Sequence, residues 1–253
     1  MFRLSKWEEV LNLKTLCFRF FGDFGHFKPF FTTTSPITYS LIPPTAVFGV
    51  LGAILGLDKS NYTQILYKAG TRVGVGNGNS ITKKSMGINL INTKGDYWIP
   101  TSKNSSGPRT PTRYEFLVNP EYLIFVTMSD SELLDCLALK IKRHETYYSV
   151  SMGLAWLLAD FELVEFNYAR EIINCSDFLS FSTAVPLTFL DPDTGVGIKP
   201  GIRYCKERFV KSFTENRKPN DYVDALFSTS KEKASLKVSE AYCLKDYYFC
   251  FLN

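Results

Sequence analysis

The stretch from Thr15 to Gly56, TLCFRFFGDFGHFKPFFTTTSPITYSLIPPTAVFGVLGAILG, constrains the fold more than any other part of the chain. It changes conformational regime three times. Leu13 to Phe21 alternates with period two and is apolar on both faces, Leu16, Phe18 and Phe20 against Cys17 and Phe21, which predicts a central strand. Gly22 and Gly25 then permit a turn that few other residues could make. Pro36 and Pro43-Pro44 hold the following segment extended. Pro44 at a first turn, or Thr45 as a cap, opens a predicted helix over 45–55. Ala46, Gly49, Gly52, Ala53 and Gly56 give that helix a small-residue stripe. Each glycine costs about 1 kcal/mol relative to alanine, so the stripe implies a steric demand, expected to be close approach to a sheet.

Further along, Ile65–Val75 reads as a strand. Residues 76–112 are polar, with Gly and Asn punctuation, a weak hairpin core at Ile88–Ile91 and a turn at Thr93–Asp96, and read as a long hairpin arm. Tyr114–Met128 reads as a strand pair broken at Asn119-Pro120. Ser129-Asp130-Ser131 caps a predicted helix over 131–143, with Leu133, Leu134, Leu137 and Ile141 at helical spacing. Tyr147–Leu158 is a glycine-bearing loop entering a short buried segment, and Phe161–Arg170 is a strand. The order is βαββαβ, that of a ferredoxin-like, RRM-like body. After Ile173 the pattern is all β, with strands expected at Leu179–Leu190, Tyr222–Ser228 and Tyr247–Leu252. The expected organisation is α+β: an appended segment at 1–12, the RRM-like domain with its arm over 13–172, and a β-rich region over 173–253.

Composition is that of a packed globular chain, 45% hydrophobic and 21% charged in 253 residues, which excludes disorder. Net charge is only +4, too mild to demonstrate nucleic-acid binding. Its distribution says more. Lys83–Arg113 carries six basic residues against Asp96, and Lys199–Lys218 carries seven against Glu207 and Glu215. Each is a solvated loop face or a phosphate-contacting one. The N-terminus, MFRLSKWEEVLNLK, lacks the apolar core of a signal peptide. No two of the six cysteines stand at Cys-x-x-Cys spacing, and the apolar run Leu41–Leu57 is short and broken by proline. The reading is cytoplasmic, with reduced thiols and no membrane span.

Candidate chemistries separate on residue type. His26 and His144 have no ligand-spaced partners, so metal binding is not expected. Asp191–Gly195 begins like a calcium loop, but Ile202 stands where Glu is required. Gly74–Gly78 with Lys83-Lys84-Ser85 lacks the Gly-Lys-Ser order of a phosphate loop and is read as a hairpin base. A metal-free ribonuclease needs a base, an acid and a cation; His26 with Lys28, or Tyr39, Arg143 and His144, are the available sets. Single-stranded RNA binding fits better, since it needs cations along a groove, rings for stacking and permissive glycine loops. Phe24, His26, Phe27 and Lys28 supply rings and charge on one turn. Lys83, Lys84, Arg109 and Arg113 supply cations on the arm, and Ser151, Met152 and Gly153 a loop. Phe24 and Phe27 are equally readable as core.

Gly22, Phe24, Gly25, Phe27 and Lys28, then Thr38-Tyr39, Pro43-Pro44-Thr45, and Gly49, Gly52 and Gly56, together resemble the fifth family of CRISPR-associated proteins, RNA-binding subunits of Cascade complexes. The resemblance implies a hairpin thumb on an RRM-like body and a grip on the 5′ handle of the CRISPR RNA (crRNA). It implies the backbone subunit and the large subunit as neighbours, and target DNA met only through the guide. The 151–153 loop resembles the family's glycine-bearing loop near RNA. SMGLAWLLADFELVEF and the glycine-rich helix look most like the I-B branch, where a separate endonuclease cuts the precursor. No catalysis and no cofactor are therefore expected here. The alternatives are a processing endoribonuclease and an interaction protein that does not need RNA.

Overall fold

The computed structural model describes residues 12–32, 36–91, 109–173, 175, 177–214 and 218–253. The appended segment up to residue 11, the arm between 92 and 108 with its turn at 93–96, and Arg217 lie outside the described residues.

The first strand, β1 (Asn12–Phe21), is central, as its two apolar faces require. Leu16, Phe18 and Phe20 enter the main core, whereas Cys17 joins a second cluster with Phe125, Tyr242 and Phe249 on the other side. Burying each large side chain stabilises the fold by roughly 1.5–3 kcal/mol. β2 (Phe24–Gly25) follows the glycine turn, then α1 (Pro44–Leu55) and α2 (Tyr62–Lys68). Next come β3 (Arg72–Asn77), the arm strands β4 (Lys83–Ile91) and β5 (Arg109–Val118), β6 (Glu121–Thr127), α3 (Ser131–Lys142) and β7 (Asp160–Ile173). α3 is capped as expected: the Asp130 carboxylate accepts from the Leu133 amide, with Glu132 in the first turn and Lys140 and Lys142 in the last, each complementing the helix dipole.

Beyond β7 the chain is all β: β8 (Leu179–Phe181), β9 (Val185–Pro186), β10 (Tyr204–Phe213), β11 (Pro219–Ser228), β12 (Ala234–Leu236), β13 (Glu240–Leu244) and β14 (Tyr247–Phe249). One eight-stranded sheet runs β12-β8-β14-β13-β7-β1-β6-β3. β1 is antiparallel to both β6 and β7, and β3 is antiparallel to β6. β13 pairs with the end of β7, so strands from both sides of residue 173 share this sheet. The sheet is curled. Segments leaving β8 and β14 come back to the outer edge of β3, where the Ala184 amide donates to the Val75 carbonyl and the Leu252 amide to Val73, both at 2.8 Å. This covers an edge that would otherwise invite pairing with another chain.

Four expectations are corrected. Ile65–Lys68 is helical, because Leu66 is buried and the Tyr67 ring packs on Phe48 of α1 at 4.9 Å; packing overrides the strand propensity of these residues. Gly74–Gly78 is neither a phosphate loop nor a loose hairpin base. Gly74 and Gly76 are in β3, where a Cβ on Gly76 would stand 1.7 Å from the Ser182 carbonyl oxygen of the returning segment. The glycine stripe of α1 does not face the sheet. Gly52 sits under the Tyr62 ring of α2, Gly56 (φ +79°) ends the helix beneath Tyr147, and a Cβ on Gly49 would meet nothing within 4 Å. Finally, 179–190 is divided into two short strands and a 3-10 turn at Leu187–Phe189.

The β10–β11 hairpin, with β9 on its edge, adds Phe209, Ala225 and Phe227 to the main core. It is tied to the extended linker before α1. The Tyr39 hydroxyl donates to the Arg208 carbonyl at 2.7 Å, and the Ser40 amide and hydroxyl both donate to Glu207.

Candidate nucleic-acid interface

The glycine turn after β1 and the loop before β7 are built as one unit. The His26 amide donates to the Met152 carbonyl at 2.9 Å. The loop closes on itself through Met152 N–H to Leu157 C=O at 2.8 Å and a bridge between Ser151 and Leu158. Close approach needs glycine on both partners. A Cβ on Gly22 would lie 2.9 Å from the Leu158 carbonyl, and one on Gly153 (φ +93°) only 2.0 Å from the His26 carbonyl. Met152 is fully buried beneath the contact.

The same turn joins the arm. Phe24 and Gly25 pair with Val118 and Leu117, making a three-stranded sheet β2-β5-β4. The turn, the loop and the base of the arm therefore share one surface. At its centre lies Phe116, buried, with four rings around it: Phe24 at 6.4 Å, His26 at 5.8 Å, Tyr114 at 6.0 Å and Trp156 at 5.8 Å.

The predicted site residues divide. Phe24 is 37% exposed, whereas Phe27 is buried against Tyr122. His26 is 3% exposed and its Nδ1 lies 2.8 Å from the Glu115 carbonyl oxygen, which can only accept, so Nδ1 carries the proton. Lys28 is exposed. Cross-strand register separates the arm cations, because directly paired residues share a face. Lys84 pairs with Phe116 and so stands on the ring face; Lys83, Arg109 and Arg113 belong to the other. Lys83 is committed internally, donating to the Thr38 carbonyl at 2.6 Å, with Glu115 at 3.7 Å and Glu207 at 4.0 Å. Lys84, Arg109 and Arg113 are exposed and form no ion pair among the described residues.

The second basic segment is different. Lys206 and Arg208 on β10 lie 3.5 and 3.9 Å from Asp224 on β11, Lys211 lies 3.9 Å from Asp221, and Arg208 also stacks on Tyr222. These charges are compensated across the hairpin. His144 stacks on Phe161 and lies 3.0 Å from Asp160 at the surface.

Two contributors were not visible as such in sequence. Trp156 is 61% exposed, although AWLL reads as core; its place in the glycine loop was the available signal. Glu207, on β10, holds Ser40 by two hydrogen bonds. Burial pushes its carboxyl above the usual range, against the opposing pull of Ser40 and Lys83. Among the described residues no group of three or more His, Cys, Asp or Glu could hold a metal, and no helix is long and apolar enough to cross a membrane. All six cysteines are free.

The family model for CRISPR-associated protein (Cas_Cas5) matches residues 15–147, just over half of the chain and including the glycine turn, the linker and the arm. The chain belongs to the CRISPR-associated protein (Cas_Cas5) family. No curated protein matches it. Among solved structures this Cas_Cas5 chain is similar to a CRISPR protein from Archaeoglobus fulgidus at a TM-score of 0.56 and 14% identity, covering 95% of this chain and 100% of that one. The likeness is one of fold: a mixed α+β chain built on a large curled sheet with few helices. It also matches a structure described as a CRISPR RNA-guided surveillance complex, at a TM-score of 0.49 and 11% identity, over 88% of this chain and 91% of that one.

Proposed function

We propose that this Cas_Cas5 chain is a non-catalytic RNA-binding subunit of a type I CRISPR Cascade complex. It holds the 5′ handle of the crRNA, caps the backbone filament and contacts the large subunit. The observation that carries the reading is the shared surface of the glycine turn, the glycine loop and the arm base, where exposed rings stand beside uncompensated cations. Single-stranded RNA needs that combination, with charge for the phosphates and π-faces for the bases. The strand order β7-β1-β6-β3, with helices between β1 and β3 and between β6 and β7, supports a ferredoxin-like body over 13–172 with the arm as its thumb, extended by the β-rich region from 173. The I-B branch is proposed on the glycine-rich α1 and the SMGLAWLLADFELVEF stretch.

The absence of catalysis is part of the proposal. His26 is enclosed by Tyr114 and Phe116 and bonded to a backbone carbonyl, and His144 is held by Asp160 on a different element. Neither arrangement leaves a histidine free beside an exposed cation, which supports binding over cleavage. Incubation with labelled CRISPR repeat RNA in EDTA tests this directly. Retention of the handle fragment without cutting is expected. A specific metal-independent cut would replace the proposal with a processing endoribonuclease.

A further inference from the structure

We infer that Trp156 is a base-stacking residue: its indole, with Phe24, forms a platform for unpaired nucleobases of a bound RNA strand, whose phosphates run on the Lys84 side. The inference rests on the RNA-binding reading above and adds to it a residue, a contact chemistry and a direction.

Trp156 is the largest ring in the glycine loop and more than half of it faces solvent, where an indole costs hydration and gains nothing from packing. It is nonetheless positioned. Its ring stands edge-on to Phe116 at 5.8 Å and 63°, and Phe24 stands edge-on to the same ring at 6.4 Å and 77°. Phe116 is 1% exposed, so both outer rings rest on a fixed core residue. The loop beneath Trp156 is held by the Met152–Leu157 and His26–Met152 hydrogen bonds. A preorganised ring with an open face is what base stacking uses, at any base identity.

Charge selects the occupant. The arm residues sharing the ring face near Phe116 are Lys84, Met86, Tyr114 and Val118, a single cation with no acid. On the far side of Phe24 lies a cavity of about 460 Å3 lined by Asp23, Glu121 and Asp160. A polyanion approaching the rings is drawn toward Lys84 and repelled from that cavity. A protein partner would gain nothing from so asymmetric a rim, whereas a single strand places bases on the rings and phosphates at the lysine.

The test uses the tryptophans. The chain has three, Trp7, Trp98 and Trp156, so W7F/W98F leaves Trp156 as the only indole. Titration of this full-length variant with single-stranded CRISPR repeat RNA, read by indole fluorescence and by filter retention together, is expected to show quenching that saturates with retention. Trp156→Ala is expected to weaken retention roughly ten- to a hundredfold, the cost of one lost stack, without changing the salt slope. Trp156→Phe should restore most of the affinity, and melting curves should show both variants folded. Retention without quenching, and unaltered in Trp156→Ala, would overturn the stacking inference and leave RNA binding standing. No retention by the parent protein would overturn both.

Discussion

The His26 amide donates to the Met152 carbonyl at 2.9 Å, while the His26 carbonyl lies 2.0 Å from where a Cβ on Gly153 would stand. One backbone unit thus fixes the turn to the loop, and the contact tolerates no side chain at 153. Gly153→Ala adds a methyl against a backbone oxygen and forces an L side chain to φ +93°. We expect it to lose at least about 2 kcal/mol of stability and to reduce RNA retention beyond what unfolding accounts for. Denaturant midpoints and retention under folded conditions read the two effects separately.

Two other glycines should respond in opposite directions. Gly76→Ala would drive a Cβ to 1.7 Å from the Ser182 carbonyl, and neither strand can yield without opening the curl of the sheet. A loss of about 4 kcal/mol is expected. Gly49 is inside α1 with nothing within 4 Å of its Cβ position, so Gly49→Ala should stabilise by about 0.5–1 kcal/mol through helix propensity. Equilibrium denaturation of both variants checks this. Similar destabilisation of the two would contradict the packing described for α1.

Glu207 gives a pH signature. Its carboxyl is raised above the ordinary value, first by burial. A raised acid binds its proton more tightly in the folded chain than in the unfolded one, so its contribution favours folding at low pH and is lost as pH rises through the folded value. Glu207→Gln retains an acceptor for Ser40 and removes that dependence. Any stability advantage of the wild type over the variant should therefore be largest in acid and shrink toward neutrality. Thermal melts of the pair from about pH 4 to pH 7 test the sign, and an advantage that grows with pH would contradict it.

The fold was legible where one face decided the structure. β1 declared itself by alternation, α3 by its cap and leucine spacing, and the break between β5 and β6 by Asn119-Pro120. α2 was not legible, because Ile65 and Tyr67 carry strand propensity and only the packing of Tyr67 on Phe48 makes them helical. The strand pair β12 and β13 and the return of 182–184 to β3 depend on contacts far apart in sequence, which one chain's pattern does not encode. In the site, residue types were legible and faces were not. Lys83 and Lys84 are adjacent and identical in chemistry. Register alone sends one to Thr38 and Glu207 and the other to the rings. Phe24 and Phe27 separate in the same way, three positions apart on a turn without regular period.

The charge assignment is tested most directly by salt. Replacing Lys84, Arg109 and Arg113 together with Gln, while keeping the internal Lys83, should weaken binding of single-stranded repeat RNA by more than about tenfold. It should also flatten the plot of log affinity against log salt by about 2, since each lost phosphate contact removes about 0.7. The matched triple Gln variant at Lys206, Arg208 and Lys211, whose charges are paired with Asp221 and Asp224, should leave the slope within error of wild type. Unchanged affinity and slope in the arm variant, or an equal effect from both triples, would contradict the assignment of RNA to the arm.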